Sequence, residues 1–446
     1  MFQVVSFMRN SNLLKRLAKI FVFLALSIFL VGFLNYLVSP RDPDAWQTIS
    51  QLYEHNDLEV VFLGTSSTYR SNMPPVIDEV AGLRSYNLAT PAQSFMASYY
   101  LLKEALKSNP VKHVVLHMNI SRFQDDMTDH AYQFLAIENM RFSLDKLAFM
   151  SDGFTMEKYP DALLRCYRAR SLLRLSTIRD NLTPRVVNPE DYPAEVYPYL
   201  GKGYSFSANE QIPDEISVGY YAAFNPQKFV PENTEYLQKI IDLCKEKDID
   251  LIFLARPRVA ANILATGNYD EFHNYVQALA DANQIPFWDY VYLRPDVLTI
   301  EDTMFMDAYH PNYRLALPLS RLVGQMLKEH VDGTLDVNQY LYNDYNTFLS
   351  QNRRIAGVYT TTLSKKETLK AYAAMGMEKE VEFRFLVSDQ KHGGYRLVQD
   401  WSTKNLVDLS KLPNKKCWLV VEARQAGSGG NAEQRLRKVV DLTATH

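Results

Sequence analysis

Val60-Val61-Phe62-Leu63-Gly64-Thr65-Ser66-Ser67-Thr68-Tyr69 is the stretch around which the chain is organised. β-Branched and aromatic residues run unbroken to a glycine, and small hydroxyl residues follow it. This is the pattern of a buried strand feeding a tight turn at its carboxyl end. In open α/β sheets that edge is where ligands bind and reacting groups gather. Taken alone, the stretch equally describes an ordinary strand followed by a Ser/Thr helix cap. Residues far downstream decide between the two.

Outward from this strand, strand-like and helix-like segments alternate. Strands are expected at Glu59–Leu63, Ser85–Leu88, His113–Met118, Asp250–Ala255 and Pro286–Tyr290. Helices are expected at Val76–Ala81, Ser94–Lys107, Thr234–Lys247, Tyr269–Asn283 and Asn312–His330. Alternation of this length predicts an α/β fold, a parallel sheet with helices on both faces. From about 128 to 231 the alternation breaks into irregularly spaced Tyr, Pro and Arg, including Tyr167-Arg168-Ala169-Arg170 and Asp191-Tyr192-Pro193. We read this as an insertion over the sheet edge, either a substrate-shaping element or structural padding.

The chain of 446 residues exceeds one compact core, so several domains are expected. A net charge of −3 argues against nucleic acid as a principal partner. With 28 Tyr and 23 Phe the chain is a folded one, not a linker. Cys166, Cys244 and Cys417 are scattered, without the spacing of a zinc site or a disulfide framework. No metal or cofactor motif stands out. His113 and His117, four apart on a strand, share a face and are read as structural or pocket-lining.

From Ile20 to Pro40 no charged residue occurs, and the run is about 30 Å long as a helix, enough to cross a bilayer core. Arg9, Lys15, Arg16 and Lys19 precede it and Arg41 follows, so the positive-inside bias puts the N-terminus in the cytoplasm and the remainder outside. The run ends in Asn35-Tyr36-Leu37-Val38-Ser39-Pro40, unlike the small-residue end of a cleaved signal peptide. The expected arrangement is a single-pass signal anchor in a bacterial cell membrane.

Four signals fall at strand ends or at the last strand–helix junction. They are Gly64-Thr65-Ser66, the turn Ala89-Thr90-Pro91-Ala92-Gln93-Ser94, Asn119 after Leu116-His117-Met118, and Asp307-Ala308-Tyr309-His310. A serine hydroxyl is a poor nucleophile until a base accepts its proton, and imidazole is the usual base. An Asp three residues before the His, on a turn entering a helix, can approach the ring from its far side and fix the tautomer. The turn N–H near Ala92 and the Asn119 amide are candidate donors to an oxyanion beside Ser66. Ser67 is the rival nucleophile; the spacing from Gly64 favours Ser66. Arg256 and Arg258, just past the fourth strand, are candidates to hold an anionic substrate at the same edge.

In this order the blocks resemble the SGNH (GDSL-like) hydrolase superfamily, over about residues 59–330 with the insertion outside the resemblance. The resemblance implies a flavodoxin-like sheet, a Ser66, Asp307 and His310 triad, and an oxyanion hole from Ser66, Ala92 and Asn119. Two residues depart from the pattern. Thr65 replaces the Asp that many members carry, and Ala92 stands where the second block has Gly, adding a Cβ. The anchored, outward-facing arrangement is similar to the D-alanyl transfer protein of teichoic-acid D-alanylation and to SGNH partners of membrane-bound O-acyltransferases. It implies an esterase or O-acyltransferase acting on a cell-envelope polysaccharide or teichoic-acid-like polymer. The alternative is a non-catalytic scaffold or polysaccharide-binding protein that assists a membrane acyltransferase.

Residues 336–352 turn polar and read as a linker between the α/β domain (41–335) and a C-terminal domain (353–446). There short strands are expected at Glu380–Val387, Tyr395–Gln399, Cys417–Glu422 and Leu436–Thr443, separated by Asp389–Gly394, Leu412–Lys415 and the loop Gly427-Ser428-Gly429-Gly430. This predicts an all-β sandwich. The segment from Phe383 through Tyr395, Asp400-Trp401-Ser402 and Trp418 resembles the Ig-like domain with a triple-tyrosine-type pattern, and the resemblance implies a binding or spacing module.

Overall fold

The computed structural model describes all residues except 1, 39–42, 173, 184–187, 211–221, 352–353, 364–367, 376–380, 410–411, 413–415 and 442–446. The close of the expected span (Ser39, Pro40, Arg41), the turn 413–415, Glu380 and the end of the last expected strand therefore lie outside the described residues.

The α/β part opens with helices α1 (Phe2–Val38) and α2 (Pro43–Leu52). Then come β1 (Val60–Gly64), α3 (Ser66–Ser71), α4 (Pro74–Ala81), β2 (Ser85–Ala89), α5 (Phe95–Leu106) and β3 (His113–His117). Helix α6 (Ser121–Gln124) follows β3, and the insertion carries short helices α7 (Ala131–Ile137), α8 (Leu144–Gly153), α9 (Tyr159–Leu163), α10 (Arg165–Arg168) and α11 (Leu175–Leu182). After it run α12 (Pro231–Glu246), β4 (Asp250–Ala255), α13 (Ala260–Thr266), α14 (Tyr269–Asn283), β5 (Phe287–Asp289) and α15 (Tyr313–Val331).

All five strands are parallel, in the order β2-β1-β3-β4-β5. The order reverses between β1 and β3, which opens a crevice beyond their carboxyl ends. Register brings those ends level: Gly64 pairs with Ala89, Leu63 with Leu116, and His117 with Leu254. The two-residue period of the strands divides their side chains between two cores. Val61, Leu63, Leu88, Leu116 and Phe253 face one side with α5, α12 and α14. Val60, Phe62, Val115, Ile252 and Trp288 face the other with α4 and α15. Because both faces are covered, β1 is buried at every position, and its sequence shows no polar alternation.

Helix starts are set by local chemistry. Ser94 caps α5 by accepting from the Ala97 N–H at 3.0 Å, and Asn312 caps α15 by accepting from the Arg314 N–H at 3.0 Å. Helix α1 contains Leu13–Val38, 26 residues within which an 18-residue stretch has a mean hydropathy of 2.6 and no part buried in the molecule. It is long and apolar enough to cross a membrane, and a signal sequence has the same character.

Helical order does not end at residue 336. Helix α16 (Tyr345–Gln351) buries Phe348 in the core that holds Tyr292, and Leu341 bridges to Leu293. The described part of this polar sequence, 336–351, is therefore packed against the α/β part through apolar residues such as Leu341 and Phe348.

The C-terminal part has two sheets. One is β10-β7-β6, from β6 (Arg354–Leu363), β7 (Thr368–Met375) and β10 (Leu406–Asp408); the other is β12-β11-β8-β9, from β8 (Val381–Ser388), β9 (Arg396–Ser402), β11 (Lys416–Gln425) and β12 (Gln434–Asp441). Their pairings are antiparallel. Ile355, Val358, Ala371 and Val407 of the first sheet share a core with Phe383, Phe385, Leu419 and Val421 of the second. Strands β6, β7 and β10 add to the four expected ones. Both β6 and β7 lie against α13.

Candidate active site

Strand β1 ends at Gly64 for a steric reason. A Cβ there would overlap Thr68 Oγ1 and sit 2.5 Å from the His117 Cβ, so the ends of β1 and β3 meet only through a residue without a side chain. The carbonyl of Gly64 accepts from Thr90 N–H at 3.3 Å, and its N–H donates to Gln93 Oε1 at 3.1 Å. The turn after β2 is thereby tied to the turn after β1. Thr65 takes the N-cap position with φ −93°, and Ser66 opens α3.

Ser66 Oγ lies 2.6 Å from His310 Nε2, and His310 Nδ1 lies 2.7 Å from Asp307 Oδ2. A carboxylate only accepts, so Nδ1 carries the ring proton and Nε2 is left to take the serine's. Asp307 Oδ1 accepts from the N–H groups of Tyr309 (3.1 Å) and His310 (2.9 Å), which fixes the carboxylate within its own turn. That turn is closed by Met306 N–H to His310 O at 2.9 Å. Burial pushes the Asp307 carboxyl upward, but the hydrogen bond from His310 and the ring's charge outweigh it, and the group stays below the usual carboxylate range. Ser67 is buried with its Oγ 3.1 Å from Thr65 Oγ1, and of the two serines it is Ser66 that meets His310.

Asn119 lines the same cavity. Its Oδ1 accepts from Ser121 Oγ and Arg122 N–H, both at 2.9 Å, which fixes the amide against the turn after β3. Ala92 also lines it, with φ +44°. The position is left-handed, the conformation for which glycine is the unstrained choice.

The cavity holds about 480 Å³ and is walled on its far side by Arg256, Pro257 and Arg258. Arg256 is buried; its Nη1 donates to Asn72 Oδ1 at 2.7 Å, and among the described residues its Nε meets no partner. Burial pulls its pKa down to about 10. Arg258 reaches Asn262 Oδ1 at 3.4 Å and lies over the Tyr269 ring. His117 is held uncharged by burial, reinforced by Arg256, Arg122 and Arg258. Its Nδ1 is 3.3 Å from Thr65 Oγ1. His113 is elsewhere, 3.0 Å from Asp250 Oδ2, which also meets His330 Nε2 at 2.7 Å.

Several lining residues carry no sequence signal. Tyr132 and Ala222 come from the insertion, and Asp125, whose carboxyl is pushed up by burial, lies just before it. Arg122 is buried with its guanidinium over Phe95; it donates to the His117 carbonyl, to the Ser94 carbonyl at 3.1 Å and to Ser98 Oγ at 2.6 Å, so it ties β3 to the start of α5. Tyr309 sits inside the Asp-x-x-His block, its ring centroid 4.5 Å from that of His310.

No family model matches the chain, and no curated protein matches it. Solved structures that are similar include a protein described as lipolytic, of the G-D-S-L family, from Desulfitobacterium hafniense. It shares 10% identity at a TM-score of 0.28, over 63% of this chain and 100% of that one. A protein described as an acylhydrolase from Bacteroides fragilis shares 12% at a TM-score of 0.31, over 66% and 100%. A GDSL-like lipase from Bacteroides thetaiotaomicron shares 11% at 0.28, over 64% and 91%.

Proposed function

We propose that the chain is a serine esterase or O-acyltransferase of the SGNH type. The observation that carries this reading is the continuous Ser66–His310–Asp307 hydrogen-bonded chain at the β1/β3 switch point. In the proposed reaction Ser66 Oγ attacks an ester carbonyl while His310 Nε2 takes its proton. The oxyanion is met by the Asn119 amide and by backbone N–H groups of Ser66 and Ala92. His310 then returns the proton to the departing alcohol, leaving an acyl group on Ser66. Water or a second hydroxyl, deprotonated by His310, releases the acyl group, which makes the outcome hydrolysis or transfer.

The substrate is proposed to be an O-acylated, anionic cell-envelope glycopolymer, handled outside the membrane by a chain tethered through α1. Support comes from charge: Arg256 and Arg258 reach the cavity without a carboxylate partner in their described hydrogen bonds, beside an uncharged His117. A guanidinium buried without a counterion favours an anionic ligand. The test is a fluorophosphonate probe on the purified full chain together with mass analysis of envelope polymers from cells. Labelling at Ser66, abolished in Ser66→Ala with a matching change in polymer acylation, is the expected result. Full labelling of Ser66→Ala would remove the nucleophile assignment.

One observation favours a second reading. Ala92 places a strained Cβ where an oxyanion turn wants none, as in a scaffold that assists a membrane-bound acyltransferase or holds polysaccharide through its β part. On that reading, polymer acylation in cells survives Ser66→Ala and His310→Ala and is lost when residues 353–446 are removed.

A further inference from the structure

The insertion is fastened to the end of α1. Asn181 Nδ2 donates to the carbonyls of Tyr36 (3.2 Å) and Leu37 (3.0 Å), and Tyr36 Oη donates to the Asn181 carbonyl at 3.1 Å. Asn35 Oδ1 accepts from the Cys166 N–H at 2.8 Å. These bonds satisfy carbonyls that the last turn of a helix leaves open. They also set depth. The uncharged part of α1, Ile20–Val38, is 19 residues and about 28 Å long, which matches about 30 Å of hydrocarbon, so with Lys15, Arg16 and Lys19 at one surface the last turn of α1 sits at the opposite boundary. Helices α10 and α11, bonded to that turn, are held at the same level.

Those helices are built for such a place. Leu175 and Leu182 lie seven apart on α11, hence on one face, and are 85% and 59% exposed; Asn181 on another face is buried toward α1. Leu163 on α9 and Tyr167 on α10 are exposed as well. Met156, 80% exposed, precedes α9 and packs its element against it. From Tyr159 to Leu182, the span of α9–α11, the sequence has five basic residues and two acidic ones, Asp161 and Asp180, which lie 3.4 Å from Arg170 and Arg179 respectively. Arg170, Arg174 and Arg179 are exposed, and the Arg170 guanidinium lies 4.2 Å from the Tyr167 ring centre. Exposed apolar side chains flanked by arginine are the composition of a helix lying in a bilayer interface.

We infer that α9–α11 form an interfacial platform that rests on anionic lipid in the leaflet from which α1 emerges. The inference rests on the reading of α1 as a membrane span, and it goes beyond the reaction proposed above. It makes the insertion the part that fixes the height and tilt of the catalytic cavity, to which the same insertion contributes Tyr132 and Ala222.

The test uses the full chain in a Cys166→Ser background, reconstituted into phosphatidylcholine vesicles with and without phosphatidylglycerol. An environment-sensitive fluorophore is placed at Leu175→Cys or Leu182→Cys, with Leu397→Cys on β9 as an exposed control and Phe29→Cys as a marker of the span. The expected result is blue-shifted emission at 175 and 182, quenched most by lipids spin-labelled near the headgroup and strengthened by phosphatidylglycerol. Arg174→Ser with Arg179→Ser removes the phosphatidylglycerol effect. Leu397→Cys stays water-like, and Phe29→Cys is quenched most by lipids labelled deep in the chain. Water-like emission at 175 and 182 with Phe29 quenched overturns the platform alone and leaves that face to a protein partner. Water-like emission at all four positions overturns the span and the platform together.

Discussion

At the residue scale, the site is a set of single side chains whose loss has separable effects. Replacing Ser66, His310 or Asp307 singly is expected to lower ester turnover by about 10⁴-fold, and the combined variants to be scarcely worse, because the three act as one unit. Asn119→Ala is expected to cost about 10²–10³-fold in kcat with KM little changed, since its amide would act on the developing oxyanion; steady-state kinetics with an activated ester separates the two. Ala92→Gly is expected to raise stability, by up to about 1 kcal/mol in urea unfolding, because it relieves a left-handed φ of +44°. Gly64→Ala should do the reverse, by about 3 kcal/mol or more, because the new Cβ meets Thr68 and His117. The residues of the hydrogen-bonded chain were legible because Ser66 stands two residues after the glycine that ends an apolar strand, and Asp307 and His310 form a short, directional spacing. Gln93, Arg122 and Tyr132 were not, since what defines them is whom they touch across the fold. No spacing in the sequence brings Arg122 to the His117 carbonyl.

At the element scale, the strands and long helices of the α/β part follow their periodicity to within a few residues. The insertion does not: its helices are four to ten residues long, too short to show a period, and they are held by tertiary bonds. Helix α8 shows one consequence. Lys146 is buried there with Nζ on the Met140 carbonyl at 3.0 Å, and burial, then the charge of Arg165, brings its pKa down to about 8. The unfolded chain would hold that proton to about pH 10.4. Between about pH 8 and pH 10 the unfolded state therefore binds more protons, and this group's contribution to stability rises with pH. Lys146→Met is expected to raise the melting temperature at pH 7, with the gain shrinking as pH climbs through that window. Thermal scans of both proteins at several pH values check it. β7 shows the opposite limit of local reading. Its Ala-Tyr-Ala-Ala-Met favours helix by propensity, yet it is paired on both sides, by β6 and β10.

At the scale of the whole molecule, the β part is joined to the rest beside the cavity. Strands β6 and β7 pack on α13, the helix that begins just after Arg258. Removing residues 353–446 is expected to lower the melting temperature and to weaken binding of anionic substrates, while probe labelling at Ser66 persists. Comparing labelling rate with KM for charged and neutral esters would separate these effects. The contact between Ser66 and His310 spans 244 positions in the chain. At about 5–20 residues per second of synthesis, the serine precedes its base by roughly 12–50 s. On the proposed mechanism, Ser66 has during that interval no group to take its proton. A chain exported N-terminus first would thus be inert until the turn that carries His310, just before α15, has followed.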